Sequence, residues 1–250
     1  MTDTILITGM SGLIGRLLGA HLKGQAELSA LNRSAIDGVP TTRADIADYE
    51  AIRPAFDNID TVVHLAAKAG EGFTWEELRD TNVEGTRNVL HAAAEAGCAR
   101  VVFASSGTTV SGWERVEPYA SLVSGRYDDA PDRWQMVGVD STRPSGVYGS
   151  TKVWGEALGR HYADTTDLSV ISMRIGYVNA EDRPNSDRAY SVWCSQRDIV
   201  DALARAIRLD AGVSCETCFA NSANKWGYRD LEHSREVLGF EPRDNAEDHR

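Results

Sequence analysis

The stretch TILITGMSGLIG, residues Thr4 to Gly15, constrains the fold more than any other part of the chain. A short apolar run ends at Gly9, two more glycines follow at Gly12 and Gly15, and the leucines of SGLIGRLLGAHL then recur at helical spacing. Glycines in such a turn let the backbone approach a ligand closely. The start of the helix adds unpaired N–H groups and the positive end of its dipole. Gly9, Ser11, Gly12, Leu13, Ile14 and Gly15 are therefore candidate contacts for a diphosphate, in the strand–loop–helix setting that this motif requires. A plain tight turn is the alternative.

The alternation continues down the chain. AELSALNRS, DTVVHLAA, ARVVFASS and LSVISMRIG read as strands, as does the stretch around CETC. Helical spacing appears in WEELRDTNVEGTRNVLHAAAEAG, which should close at Gly97, around Tyr148 and Lys152, and in RDIVDALARAIRL. Strands alternating with helices predict an α/β fold with a parallel, doubly wound sheet. Residues 113–142 break the rhythm: they lack clean periodicity but hold Trp113, Tyr119, Arg126, Tyr127, Arg133 and Trp134. A long aromatic insertion inside a compact domain is expected to be an ordered lid.

Composition narrows the partners. A net charge of −11, from 37 acidic and 26 basic residues, argues against binding a nucleic-acid backbone. The longest apolar runs are strand-sized, so no membrane span is expected. No basic or apolar leader precedes the first strand, so a cytoplasmic location is expected. The C-x-x-C spacing at Cys215 and Cys218 has no second ligand pair, and with Cys98 and Cys194 these read as reduced structural thiols without a metal.

The end of the second strand should meet an adenosine ribose. An acidic residue commonly binds the ribose hydroxyls there. This chain has Asn32, Arg33 and Ser34 instead. An acid would repel a 2′-phosphate, whereas Arg33 with Ser34 suits one, so NADP is expected to bind and to be preferred over NAD.

Read together, TGMSGLIG, Asp45–Ile46, HLAA at 64–67, NVEGT from Asn82, the serines 105–106 and YGSTK from Tyr148 resemble an extended short-chain dehydrogenase/reductase of the NAD-dependent epimerase/dehydratase type. VFASS, RPSGVYGSTK, GEALGRHY, SVW and LGFEPRDNAE are most similar to segments of uronate dehydrogenases and related archaeal glucose-6-phosphate dehydrogenases. The resemblance implies one Rossmann-like domain over residues 1–250. Residues 1–165 would be mainly the dinucleotide core, 113–142 the inserted lid and 176–250 mainly a small substrate lobe. It adds Asp45, Ile46, Leu65, Ala66, Ala67, Asn82 and Val178 to the cofactor contacts.

It also gives Tyr148 and Lys152 roles. Residues i and i+4 share a helix face, and many surface helices carry such a pair without consequence. In this family the tyrosine moves a proton. A lysine ammonium one turn away and a positive nicotinamide nearby would favour the phenolate and lower its pKa, so that Tyr148 can take a hydroxyl proton. Lys152 would also hydrogen-bond the nicotinamide ribose, and Ser106 would hold the substrate oxygen. Relatives with three consecutive serines use the third, which is Gly107 here.

The implied reaction is oxidation of an aldose at its anomeric carbon to a lactone. Arg188 matches an arginine that binds the sugar's acidic group, and Ser106, Gly107, Thr108, Tyr148 and Tyr177 complete the implied substrate contacts. The pattern departs from the uronate enzymes at Gly107–Thr108, where they have asparagine–histidine, and at Ala69 and Tyr177, where they have serine. A hexose with an anionic group at C6 is therefore expected, not uronate in particular. A nucleotide-sugar epimerase or dehydratase would need a larger C-terminal lobe. A non-catalytic dinucleotide sensor would have lost the Tyr–Lys pair. Relatives often pair through the Tyr–Lys helix and the long helix before it, so a homodimer or higher homo-oligomer is expected.

Overall fold

The computed structural model describes residues 3–250. Its centre is a seven-stranded sheet in the order β3-β2-β1-β4-β5-β6-β7, with every neighbouring pair parallel. The strands are β1 (Thr4–Thr8), β2 (Glu27–Asn32), β3 (Thr41–Arg43), β4 (Thr61–His64), β5 (Arg100–Ser106), β6 (Ser169–Ile175) and β7 (Cys215–Ala220). The chain builds outward from β1 to β3, then returns to place β4 on the other side of β1 and continues to β7. That reversal opens a crevice beyond the carboxyl ends of β1 and β4, where ligands bind in sheets of this kind.

Side-chain alternation sends Ile5 and Ile7 to one face of β1 and Leu6 to the other. The first face packs on α1 (Leu13–Leu22) and α8 (Gln196–Ile207) through Leu18, Leu22, Ile199 and Leu203. The second packs on α4 (Gly85–Ala96) through Val89 and Leu90, with Phe56 from the turn after α2 (Tyr49–Ile52). Coverage on both faces is why the strands read as nearly continuous apolar runs.

The helix expected over residues 75–97 is present, with a local change of pitch. It comprises α3 (Trp75–Leu78), a wider π turn at Arg79–Glu84, and α4. Thr74 and Glu77 cap its start reciprocally, and Gly97 ends it in the left-handed conformation at φ 75°. The Tyr–Lys helix is α6 (Val147–Thr165). Elements that sequence periodicity did not reveal are short: β3, α7 (Ala189–Val192) and α9 (Glu232–Leu238).

Residues 113–142 are fastened along their length. A 3-10 turn at Ser111–Arg115 leads to α5 (Tyr119–Val123). Tyr119, Leu122 and Val137 share a third core with Val192 of α7, Phe219 of β7 and Tyr228. Tyr127 stacks on Trp226 with centroids 4.0 Å apart, and Trp134 donates its indole N–H to the Gly227 carbonyl at 3.0 Å. All four cysteines are unpaired. Burial pushes the Cys98 thiol up to about 11 and that of Cys218 to about 12, which leaves both poor nucleophiles. Among the described residues no helix is long and apolar enough to cross a membrane.

Candidate active site

Two adjoining cavities of about 570 and 530 Å³ share Gly9, Gly12, Leu65 and Ala67 in their walls, forming one trough along the crevice. The glycine loop fits a dinucleotide diphosphate on its own geometry. Gly9 has φ +69°, and a Cβ there would lie 2.7 Å from the Ala66 nitrogen, so only glycine lets β1 turn this close to β4. A Cβ on Gly15 would lie 2.6 Å from the Met10 Cα, which fixes how closely α1 returns to the loop. The first bond into the helix runs from the Arg16 N–H to the Gly12 carbonyl at 3.0 Å. The N–H groups of Leu13, Ile14 and Gly15 thus have no intrahelical acceptor, and all three residues line the trough.

At the adenosine end the wall holds Ser11, Asn32, Arg33, Ser34, Asp45, Ile46 and Ala66. The Asn32 amide is held in place: its oxygen accepts from the Ser11 hydroxyl at 3.0 Å, and its nitrogen donates to the Ser34 carbonyl and hydroxyl at 2.8 and 3.0 Å. Arg33 is exposed and makes no ion pair among the described residues. Arg43, at the end of β3, joins Arg33, Ala44 and Asp45 around a shallow hollow at the mouth. Sequence reasoning missed Arg43, because the signal would have required knowing that β3 lies beside β2.

The opposite end carries Ser106, Tyr148, Lys152, Tyr177 and Val178. Ser106 ends β5, and its oxygen accepts from the Thr108 N–H at 3.2 Å and the Thr108 hydroxyl at 3.0 Å. Thr108 therefore acts on the serine, leaving the Ser106 proton for Tyr148 or a substrate oxygen. Lys152 donates to the Ala104 carbonyl at 2.8 Å, with its nitrogen 5.9 Å from the Tyr148 ring centroid.

The expected lowering of the tyrosine pKa is not what this structure holds. Burial pushes the phenol above its ordinary value, the Ser106 hydrogen bond opposes that rise, and the Glu71 carboxylate adds to it. Lys152 is aimed at a backbone carbonyl, and burial pulls it down to about 8 while Glu156 resists.

Two further expected residues are occupied elsewhere. Asn82 sits in the π turn, accepts from the Lys68 N–H at 2.8 Å, and donates to the Lys68 carbonyl and the Thr151 hydroxyl at 3.0 and 3.3 Å. It thereby ties the loop after β4 to α6 and lines neither cavity. Arg188 forms a two-pronged ion pair with Glu114, at 2.6 and 2.8 Å, and the Tyr228 hydroxyl donates to the same carboxylate at 2.6 Å. Glu114 lies in the aperiodic segment and gave no signal in the sequence. Gly107 is buried between β5 and the C-terminal lobe. Arg126 pairs with Glu117 and Asp129 at the surface, each at 3.2 Å, so its charge is already matched there.

The model of the NAD dependent epimerase/dehydratase family matches residues 5–194. The chain belongs to that family. It is 29% identical over 256 residues to an NAD-dependent glucose-6-phosphate dehydrogenase of Haloferax volcanii, covering 98% of this chain and 95% of the relative. An L-arabinose 1-dehydrogenase (NAD(P)(+)) of the same organism is 32% identical, with 97% of each chain covered. Among solved structures, uronate dehydrogenase from Agrobacterium tumefaciens superposes with a TM-score of 0.84 at 30% identity, covering 100% of this chain and 87% of that one. That superposition extends to the Rossmann-like parallel sheet seen here.

Proposed function

We propose that the protein is an NAD(P)-dependent sugar 1-dehydrogenase that oxidises the anomeric carbon of an aldose to the lactone. The observation that carries this reading is the placement of Ser106, Tyr148 and Lys152 in the same trough as the glycine loop and the α1 N-terminus. Relatives named for glucose 6-phosphate, L-arabinose and uronate support an aldose as the substrate. When bound, NAD(P)+ supplies the acceptor for the C1 hydride. Ser106 holds the C1 oxygen, and Tyr148, as the phenolate that the positive nicotinamide and Lys152 would favour once the cofactor is bound, takes its proton as the C=O bond forms. Lys152, anchored on Ala104, adds positive charge at the nicotinamide end and a donor for the ribose hydroxyls.

Three finer points belong to the same reading. NADP is the preferred cofactor, because Arg33, Arg43 and Ser34 surround the adenosine mouth and no acid stands at position 32. The sugar carries an anionic group at C6. Copies of the chain associate through α4 and α6, near which Trp75 and Val147 are exposed.

A panel of neutral and 6-anionic aldoses, with NADP and NAD in parallel, tests the reading by reduced-nicotinamide absorbance. Lactone formation with at least one aldose is expected. Tyr148→Phe should lose about 10²–10⁴-fold in kcat while binding cofactor normally. Turnover of nucleotide sugars alone would replace this reading with an epimerase or dehydratase.

A further inference from the structure

Two guanidinium groups reach Tyr228, Arg188 through their shared partner Glu114 and Arg229 over the face of its ring, and their charges are matched differently. Arg188 is already neutralised by Glu114. Arg229 is 4% exposed and has no carboxylate within ion-pair distance among the described residues. Its only side-chain hydrogen-bond acceptor among the described residues is neutral: Nη1 donates to the Asn221 oxygen at 3.3 Å, while Cζ lies 5.5 Å from the centroid of the Tyr228 ring. Its Nε is buried and has no acceptor. A buried guanidinium left in this condition is costly unless an anion completes it.

The position of this charge is specific. A Cβ built on Gly107 would fall 2.2 Å from both Cζ and Nη1 of Arg229, and 2.4 Å from Nη2. The guanidinium thus fills the volume that a side chain at position 107 would take, one residue beyond Ser106. Asn221, its partner, lies against Gly176, which lines the catalytic end of the trough: a Cβ on Gly176 would meet the Asn221 nitrogen at 2.5 Å.

The lid holds Arg229 there. The Val137 N–H donates to the Tyr228 carbonyl at 2.7 Å, and the Asp230 N–H donates to the Val137 carbonyl at 3.0 Å, so both neighbours of Arg229 are clamped to one lid residue. The Tyr228 side chain is anchored on Glu114, the same carboxylate that neutralises Arg188.

We propose that Arg229, whose guanidinium occupies the space that Gly107 leaves open beside Ser106, is the specificity-determining residue that binds the anionic group of the sugar. The assignment rests on the aldose dehydrogenase reading and deepens it. It transfers the anion-binding role from Arg188, whose charge is matched within the protein, to Arg229, whose charge is not. A bidentate guanidinium–oxyanion contact is both stronger and more selective than a neutral hydrogen bond.

The test compares wild type, Arg229→Gln, Arg229→Lys, Gly107→Ala and Arg188→Gln, each checked for folding by thermal melting. Calorimetry of D-glucuronate and D-glucose 6-phosphate binding in the presence of cofactor gives a readout that needs no turnover. The ratio of kcat/KM for these anionic sugars to that for D-glucose and L-arabinose gives the second.

In Arg229→Gln the ratio should fall at least about tenfold, mainly through KM, and anion binding should weaken in parallel. Gly107→Ala, which forces the guanidinium aside while retaining it, should fall in the same direction. Arg229→Lys should keep part of the preference, and Arg188→Gln should leave the ratio unchanged. A ratio unaffected by Arg229→Gln, or lost only in Arg188→Gln, overturns the assignment. So does a wild-type enzyme that oxidises neutral aldoses without binding the anionic ones, although aldose oxidation itself would then stand. Anion binding that depends on Arg229 without oxidation of any aldose would support the site and overturn the catalytic reading.

Discussion

Lys152 is an ammonium buried beside Tyr148, and its burial has a measurable pH signature. Its pKa of about 8 in the fold lies below the ordinary lysine value of 10.5, so the unfolded chain binds the proton more tightly. The charge therefore destabilises the fold below pH 8, by about 3 kcal/mol at ~1.36 kcal/mol per pH unit, and the cost fades as pH rises from 8 towards 10.5. Urea unfolding should find Lys152→Met more stable than wild type at pH 7, with the gap closing towards pH 10.5. A gap constant across that range would contradict a depressed lysine. At the other end of the trough, Arg33→Ala and Arg43→Ala should each raise the Kd for NADP about tenfold or more and hardly change that for NAD. Equal losses for both cofactors would place these arginines away from the phosphate. The place of Arg33 at the mouth of the trough was legible because it directly follows β2. The neutralisation of Arg188 was not legible, because Glu114 is 74 positions away in the chain and meets it only through folding.

Among elements, legibility followed length and period. Strands β1, β2, β4, β5 and β6, the long helix through α4, α6 and α8 stand out because several residues repeat one spacing. The three residues of β3 and the four of α7 offer no period to read, and they form where neighbouring backbone demands partners. The lid was visible only as an absence of pattern. Its order comes from contacts with Trp226, Gly227 and Tyr228, about 90 positions further on, and no local propensity encodes those. The β1–α1 unit was the most legible because its glycines answer local geometry. Gly9→Ala tests that directly. With φ at +69° and the new Cβ 2.7 Å from the Ala66 nitrogen, the variant should lose about 1–3 kcal/mol of stability. It should also bind either cofactor weakly, since the loop must move off β4. Normal dinucleotide affinity in Gly9→Ala, measured by fluorescence titration, would separate this loop from the diphosphate.

Across the whole molecule, one buried ion pair joins the sheet, α6 and the segment 113–142. Arg174, on β6, donates through Nε and Nη2 to the two oxygens of Glu156 on α6, each at 2.8 Å, and the two side chains are 3% and 10% exposed. The same guanidinium donates to the Val139 carbonyl at 2.7 Å and the Thr142 hydroxyl at 3.1 Å, both in the lid segment. Glu156 also accepts from the Ser105 hydroxyl, next to Ser106, and its charge opposes the fall in the Lys152 pKa. Loss of one partner leaves a buried charge alone, which typically costs about 3–5 kcal/mol, whereas loss of both removes the uncompensated charge. Arg174→Met should therefore unfold at markedly lower urea concentration than wild type, and Arg174→Met/Glu156→Met should recover a large part of the loss. Hydrogen exchange should show faster opening around residues 139–142 in both variants, because the two lid contacts belong to the arginine. The double variant should have a lower Lys152 pKa than wild type, since the carboxylate that supports its charge is gone. A double variant as unstable as the single one would show that Arg174 acts through its lid contacts and not through charge. Unchanged exchange at 139–142 would show the opposite, that the lid is held by Trp226 and Tyr228 alone.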